Sequence, residues 1–201
     1  ADDIPAPETK LDLLRHTIEK LCGVGYIYIG MDHFALPDDE LVTARADGTL
    51  QRNFQGYSTH RHCDLIALGV SGIGGIGNMF AQNSVTTMEY EEMIERGELP
   101  IKKGLLVDDD DLVRAAVIQD LMCYDRLDFD EFGQRVGIDF REYFADEVAK
   151  LDVLEKDGLI ELSDSGIRIT PQGRLLLRNS AMTFDRYIDL AENDSRFSKA
   201  I

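Results

Sequence analysis

Apolar residues in the first third of the chain alternate between helical and strand-like patterns. An amphipathic helix is predicted by apolar residues at i, i+3, i+7 and i+10, namely Leu11, Leu14, Ile18 and Leu21. Two short apolar runs, Tyr26–Ile29 and Asp64–Val70, predict buried strands. Between them, the acidic sequence PDDE at 37–40 predicts the start of a second helix. This order is typical of parallel βα units, although two parallel strands cannot form a closed sheet by themselves.

The second half of the chain has a mostly helical pattern. Helices are predicted within residues 88–98, 112–124, 128–136 and 140–156. The segments 159–162 and 167–170 flank the turn sequence SDSG and predict a β-hairpin, after which Thr170-Pro171 begin a last helix. Three helices, a hairpin and a final helix form a winged-helix-like outline. The four consecutive aspartates at 108–111 favour a helix start, with a cation site as the alternative.

Net charge narrows the classes of partner. The 201 residues include 21 Lys and Arg against 38 Asp and Glu, for a net charge of −17. Such a charge disfavours nucleic acid and anionic membranes, and the helix at 139–157, where a winged helix would contact DNA, holds seven acids and three bases. No run of 18 apolar residues predicts a membrane span. The acidic, proline-containing first residues resemble neither a secretory signal nor a transit peptide, so we expect a cytoplasmic protein.

Three widely spaced cysteines argue against a cysteine-based metal centre. Cys22, Cys63 and Cys123 form no CxxC motif. We expect reduced thiols, with Cys22 and Cys123 buried as small apolar residues. His60, His62 and Cys63 are metal ligands by type, but the sequence offers no fourth ligand and we predict no metal site.

Two polar motifs follow the predicted strands. Asp32 and His33 follow Tyr26–Ile29 after two intervening residues, at a strand end where side chains often face an active site. They could orient a substrate or transfer protons, or His33 could simply cap a loop. The run Gly72–Gly77 matches G-x-G-x-x-G. A dinucleotide site, close approach to another ligand and a plain tight turn all remain open, since no acidic strand end follows about 20 residues later.

A third motif reverses the sign of the local charge. Between residues 44 and 63 the only acid is Asp47, against Arg45, Arg52 and Arg61. Guanidinium groups pair bidentately with carboxylates, so this stretch predicts a site for an anionic ligand.

Taken together, these phrases resemble one family. GYIYIGMDHFALPDDEL, RNFQGYSTH and DLIALGVSGIGGIGNMFAQN, followed by LMCYDRLDF, DGLIEL, ITPQGRLLLRN and the terminal RFSKAI, are similar to the oxygen-independent coproporphyrinogen III oxidases. The resemblance covers essentially the whole chain. It implies a radical S-adenosylmethionine oxidoreductase of haem and porphyrin biosynthesis, which anaerobically converts two propionates of coproporphyrinogen III to vinyl groups and forms protoporphyrinogen IX.

The resemblance also predicts what this chain contains. The CxxxCxxC motif that holds the family's [4Fe-4S] cluster is absent, so the chain resembles the C-terminal part of such an enzyme and is expected to be inactive alone. The implied fold class is α/β plus α. Residues 1–84 would be the last βα units of a partial TIM-like barrel, and residues 85–201 a mostly helical, winged-helix-like domain. The missing N-terminal barrel would be its partner within a monomeric parent. Without it the chain is expected to expose an apolar edge, so that either its strands pair with another copy or its first half is more mobile than its second.

Individual positions take their predicted roles from the same resemblance. Ile73 matches a family position that contacts S-adenosylmethionine. The four-carboxylate porphyrinogen fits the basic stretch, and the substrate-binding candidates are Arg52, Gln55, Tyr57 and Arg61. Asp32 and His33 are the catalytic candidates. Two other functions remain open: a haem-binding chaperone-type homologue, and a free-standing winged-helix module that binds protein.

Overall fold

The computed structural model describes residues 5–188 as a mixture of helices and short antiparallel sheets. The first half contains helices α1 (Pro7–Gly23), α2 (Glu40–Ala46) and α3 (Thr87–Glu95), with strands β1 (Ile27–Gly30), β2 (His33–Ala35), β3 (Gln51–Asn53), β4 (Gly56–Ser58), β5 (Ile73–Ile76), β6 (Met79–Asn83) and β7 (Ile101–Leu106). The second half contains helices α4 (Asp109–Tyr124), α5 (Phe129–Val136), α6 (Phe140–Tyr143), α7 (Ala145–Lys156) and α8 (Leu177–Met182), with strands β8 (Arg126–Asp128), β9 (Ile160–Leu162) and β10 (Gly166–Ile169); a 3-10 turn, Gly173–Leu176, precedes α8.

Local hairpins account for most of the sheet structure. Strands β1 and β2 form one two-stranded sheet and β3 and β4 another, while β5, β6 and β7 form a three-stranded meander. In the second half, β10 lies between β8 and β9. The two strands predicted from the sequence were Tyr26–Ile29 and Asp64–Val70, in an order typical of parallel βα units. Each strand pair in residues 5–188 is antiparallel, so no parallel pairing occurs within the described residues.

The second of these predicted strands does not form. Within 64–70 only Leu65 makes a bridge, to Gly75, and Ile66 and Leu68 are 74% and 87% exposed. Positive φ angles at Gly69 (92°) and Ser71 (60°) turn the chain away from an extended conformation. The glycine-rich run that was predicted to be a turn or loop instead forms β5. The strand at 64–70 was predicted from its apolar composition alone. That segment has no alternation of apolar and polar residues that would define a buried face, so the prediction failed.

The helices agree better with the sequence pattern. The stripe Leu11, Leu14, Ile18 and Leu21 is the partly buried face of α1, whose remaining positions are mostly exposed. Cys22 lies beside that stripe and is exposed, so its predicted burial was wrong, whereas Cys123 on α4 is fully buried as predicted. None of the helices in residues 5–188 is long and apolar enough to cross a membrane.

The aspartate run begins α4 by a capping box. The Asp108 carboxylate accepts a hydrogen bond from Asp111 N at 3.0 Å, and the Asp111 carboxylate accepts one from Asp108 N at 3.1 Å. Both contacts satisfy backbone donors that the first helical turn leaves free. The helix-start interpretation of these acids is therefore confirmed.

Two apolar clusters meet at α4. The larger cluster lies between α4, α5, α6, α7 and the β8–β10–β9 sheet, and stacks Phe129 on Phe140 with ring centroids 4.4 Å apart. The smaller cluster joins β1, β2, α2 and β4, and receives Cys123 from α4. Helix α4 therefore faces the main core and also holds the two hairpins that carry the predicted site residues.

Candidate functional site

The two hairpins place the predicted residues His33 and Tyr57 against each other. The rings meet edge to face, with centroids 5.1 Å apart. Gly56 has φ 139°, and a Cβ there would lie 2.4 Å from His33 Nε2. A Cβ at Gly30 would similarly lie 2.3 Å from the Tyr57 hydroxyl oxygen. Glycine is thus required at both positions, and the phrases GMDH and FQGY fold into one packed unit.

His33 retains access to solvent within this unit. Its Nδ1 lies 2.8 Å from Asp32 Oδ1, and the His33 side chain is 29% exposed. Asp32 is largely exposed, so the pair is a surface pair rather than a buried catalytic dyad. With Asp32 at Nδ1, the arrangement can fix one imidazole tautomer and leave Nε2 directed at the Gly56 backbone.

Tyr57 uses its hydroxyl internally. The hydroxyl donates to the carbonyl oxygen of Met122 on α4 at 2.8 Å, and only 9% of the residue is exposed. Burial raises the pKa of this phenol well above its usual value. Tyr57 therefore orients its neighbours, with His33 against its ring edge and the Arg52 guanidinium 5.7 Å from its ring centroid.

Arg52 lies on β3 and faces a cleft of about 670 Å³. The cleft is bounded by the β3–β4 hairpin, the segment 61–65, the β5–β6–β7 sheet, α4 and residues 185–187. Its apolar wall includes Phe54 and Phe80, whose rings meet edge to face at 5.5 Å, together with Leu105 and Ile118. A partly apolar ligand could contact this wall.

Four arginines line the cleft, and carboxylates neutralise two of them. Arg114 pairs with Asp110 and Glu147, each at 2.8 Å. Arg186 pairs with the three carboxylates Asp108, Asp110 and Asp111 at 2.8–3.0 Å.

The other two arginines have no carboxylate partner among residues 5–188. Arg61 Nη1 donates only to the carbonyl oxygen of Gly48, at 3.3 Å. The buried Nε of Arg52 has no hydrogen-bond partner in the described part of the chain, and neither has the neighbouring Gln51 Oε1. Uncompensated guanidinium groups in a chain this acidic favour an anionic ligand.

The remaining predicted residues lie elsewhere. Gln55 is exposed at the tip of the β3–β4 hairpin, where its backbone N–H donates to Asn53 Oδ1 at 2.8 Å. Ile73 is half-buried on β5, and neither residue is part of the cleft lining. Asp32, His33 and Tyr57 also lie outside that lining. Tyr57 lies between His33 and the lining residue Arg52, so it connects His33 to the cleft indirectly.

Packing within the chain explains the glycine-rich run. A Cβ at Gly74 would lie 2.7 Å from the carbonyl oxygen of Leu65, and one at Gly72 would lie 3.1 Å from the Cβ of Ala67. At Gly75 the neighbour is the Phe80 ring, at 3.2 Å. These glycines let the segment 65–67 and Phe80 approach β5, so they do not by themselves indicate a nucleotide.

A charged cluster that was not predicted from the sequence binds β1 to α2 and to the 3-10 turn. Arg45 from α2 and Arg174 from the 3-10 turn both pair with the Asp125 carboxylate, and both donate to the carbonyl oxygens of Tyr28 and Ile29 at 3.0–3.2 Å. We call Asp125, Arg45 and Arg174 the Asp125 cluster. It joins both halves of the chain at the strand preceding Asp32 and His33.

Comparison with known proteins relates this architecture to one enzyme. Residues 103–176 match the family model described as the HemN C-terminal domain. The chain is 53% identical, over all 201 residues, to the oxygen-independent coproporphyrinogen III oxidase of Pseudomonas aeruginosa, and it covers 44% of that relative. It is 42% identical to the oxidase of the same name from Escherichia coli, where 99% of the chain covers 44% of the relative. This chain is similar to the C-terminal part of the oxygen-independent coproporphyrinogen III oxidases.

A solved structure agrees with this correspondence. The Escherichia coli coproporphyrinogen III oxidase (HemN), described as a radical SAM enzyme, superposes with a TM-score of 0.82 at 44% identity. The superposition covers 93% of this chain and 43% of that one. The sequence-based resemblance to the oxygen-independent coproporphyrinogen III oxidases is therefore confirmed, and the chain spans less than half the length of these relatives. The resembling phrase RFSKAI lies outside the described residues.

Two features of the site are hard to find from the sequence. Gln119 contacts the backbone of Arg52, and its sole sequence signal is a polar residue four positions before the buried Cys123. Asp125 carries the signal of an acid directly after a helix, but its partners are 80 and 49 residues away. His60, His62 and Cys63 were weighed as metal ligands; in residues 5–188 no three such side chains converge.

Proposed function

We propose that this chain supplies part of the substrate-binding side of an anaerobic coproporphyrinogen III oxidase. The observation that carries the proposal is the cleft, in which Arg52 and Arg61 have no carboxylate partner within residues 5–188 and lie beside an apolar wall. Coproporphyrinogen III has a largely apolar macrocycle of four pyrroles joined by methylene bridges, and it carries four carboxylates, so it offers chemistry for both parts of the cleft. The enzyme's reaction would be oxidative decarboxylation of two propionates to vinyl groups, giving protoporphyrinogen IX in haem and porphyrin biosynthesis in the cytoplasm.

The fold detail of the proposal follows the same division of the chain. Residues 1–84, with β1 and the flanking α1 and α2, would be the end of a partial TIM-like barrel, and residues 85–201 a winged-helix-like domain. The three-stranded β8–β10–β9 sheet packed with α4, α5 and α7 supports the second part. The β6–β7 pairing crosses the proposed boundary at residue 84, so the two parts would share one sheet.

The proposed partner within the enzyme is the N-terminal region that the relatives possess. Exposed apolar side chains support it, because large ones cluster along β5–β7 and the segment before them; they include Ile66, Leu68, Ile76, Phe80 and Leu106. Without that region, the same surface would favour self-association.

A radical SAM enzyme uses a [4Fe-4S] cluster and S-adenosylmethionine, and the residues of this chain are not equally suited to hold the two. A [4Fe-4S] cluster does not fit, since Cys22 and Cys63 are exposed on separate elements, Cys123 is buried, and the described residues hold no group of three ligands. S-adenosylmethionine contact at Ile73 rests on the resemblance, because the adjacent glycines are explained by internal packing. The proposed role of Asp32 and His33 is to orient the substrate or transfer protons near the site.

Arg52 provides the sharpest test of the proposal. Arg52→Ala should weaken binding of coproporphyrin III to this chain by about 10- to 150-fold, the equivalent of one lost charge-assisted hydrogen bond. Arg52→Lys should recover only part of the loss, because an ammonium cannot reproduce the planar fork. Fluorescence titration of the porphyrin measures the affinity, and vinyl formation by the longer enzyme carrying the same change measures function.

The control is Arg168→Ala. Arg168 is 76% exposed in its side chain and lies on β10, outside the cleft, so its loss should leave affinity within about twofold of wild type, as expected for an exposed charge. Equal affinities of the wild-type chain and Arg52→Ala would contradict the assignment of Arg52.

A further inference from the structure

We propose that Gln119 is a positioning residue that holds the backbone of Arg52 and so sets where the Arg52 guanidinium lies in the cleft. The inference deepens the proposed function, since Arg52 matters to substrate only if the cleft binds it. The contact itself is independent of that function. Gln119 lies on α4 and Arg52 on β3, 67 residues earlier.

The Gln119 amide makes a two-point contact with Arg52. Its Oε1 accepts the hydrogen bond of Arg52 N at 2.9 Å, and its Nε2 donates to Arg52 O. A primary amide presents one acceptor and one donor side by side, as the peptide group of a neighbouring strand does. Gln119 therefore pairs with the edge of the β3–β4 hairpin as a third strand would, but from a helix.

The hairpin needs such an anchor. Strands β3 and β4 have three residues each, and a two-stranded hairpin of this size is marginally stable in water. The hairpin is also fixed at Tyr57, which lies opposite Arg52 in the register and donates to Met122 O on the same helix. Both members of this cross-strand pair are thus bonded to α4, which leaves side-chain rotation as the main freedom of Arg52.

A buried thiol supports the orientation of the Gln119 amide. Cys123 is fully buried one helical turn further along α4, and its Sγ lies 3.5 Å from Gln119 Oε1. Burial raises the pKa of this thiol to about 12, so it stays protonated and can donate. Oε1 then accepts from both Arg52 N and Cys123, which leaves Nε2 to face Arg52 O.

A double-mutant cycle on this chain tests the inference. Gln119→Met keeps the side-chain length and removes both polar groups. We expect it to accelerate hydrogen exchange at Arg52 N by at least about tenfold and to weaken coproporphyrin III binding by about 2- to 12-fold, the range for a neutral hydrogen bond. If Gln119 acts through Arg52, adding Gln119→Met to Arg52→Ala should cost no further affinity. Additive losses would overturn the inference, because they would mean that Gln119 affects the ligand by another route.

A second variant tests the inference if Gln119→Met fails to fold. Gln119→Glu is isosteric and keeps the acceptor for Arg52 N while losing the donor to Arg52 O, so exchange at Arg52 N should stay slow although porphyrin binding weakens. Faster exchange there in Gln119→Glu, or unchanged exchange in Gln119→Met, would overturn the inference. The control Gln134→Met replaces an exposed glutamine on α5 and should change neither measurement.

Failure of the inference and failure of the proposed function give different results. If the wild-type chain does not bind coproporphyrin III but Gln119→Met accelerates exchange at Arg52 N, the backbone contact stands and the substrate assignment fails. If the wild-type chain binds and Gln119→Met leaves both exchange and affinity unchanged, the cleft stands and the positioning role is refuted.

Discussion

The Asp125 cluster makes the stability of the β1–β2 hairpin depend on a single carboxylate. Asp125 follows α4 with a φ of 57°, a left-handed conformation that asparagine adopts as readily as aspartate. Asp125→Asn therefore removes the charge with little change in shape or backbone strain. Arg45 and Arg174, with side chains 23% and 24% exposed, would then lie close together without a counter-charge.

The expected cost follows from the degree of burial. Breaking a fully buried ion pair by removing one partner costs about 3–5 kcal/mol. The Asp125 side chain is 15% exposed and the arginines are about a quarter exposed, so solvent screens part of the cost. We expect Asp125→Asn to lower the free energy of unfolding by about 2–4 kcal/mol, which for a chain of this size lowers Tm by roughly 4–16 °C.

Chemical denaturation and hydrogen exchange measure both the size and the place of the effect. Exchange should accelerate most at β1 and β2, whose carbonyl anchors at Tyr28 and Ile29 are weakened, and least in the β8–β10–β9 sheet. The control Glu98→Gln removes a carboxylate from an exposed pair with Arg96 and should leave the free energy of unfolding close to that of wild type. If Asp125→Asn unfolds within 0.5 kcal/mol of wild type, about the noise of such comparisons, the cluster does not fasten the hairpin.

Two further predictions concern packing at the site. Gly56→Ala would place a methyl group 2.4 Å from His33 Nε2 at a φ of 139°. We expect the free energy of unfolding to fall by about 2–4 kcal/mol and the His33 resonance to shift in NMR spectra. The control Gly23→Ala, in open space at a normal φ, should leave stability nearly unchanged. Cys123 should resist a thiol reagent at pH 8 in the native state while the other two cysteines react, because burial raises the Cys123 pKa to about 12. The unfolded thiol ionises from about pH 9, so the contribution of Cys123 to the free energy of unfolding should fall as pH rises above that value. Rapid modification of all three thiols, or a Gly56→Ala chain as stable as wild type, would contradict the packing described.

Helices were more predictable from this sequence than strands, for a physical reason. A helix depends on local periodicity and on end signals. The apolar stripe of α1 shows the periodicity, and the aspartates at the start of α4 are an end signal. Strands here are three to six residues long, too short for alternation to be distinguished from chance. The strand β7, with the sequence IKKGLL, is exposed along its whole length and carries no signal of a buried face.

The candidate site was partly predictable, because family phrases lie in the hairpins that form it. Glycines in GMDHFA and NFQGY are needed where His33 and Tyr57 approach the backbone, so their presence reports a close contact between the two phrases. The partners of those hairpins were not predictable. Gln119 and Asp125 act across 67 and 80 residues, and no local pattern encodes a contact of that separation.

Charge balance along the sequence could not separate structural from binding arginines. Arg45, Arg52 and Arg61 share one basic stretch, yet the fold gives Arg45 a carboxylate from α4 and leaves the other two without one in the described chain. In a protein with 38 acids, an arginine finds a carboxylate partner easily. An arginine that faces a cleft without such a partner is therefore better evidence for ligand binding than a basic stretch of sequence is. Arg52 has this feature and is also held at its backbone by Gln119, so it is the residue to test first.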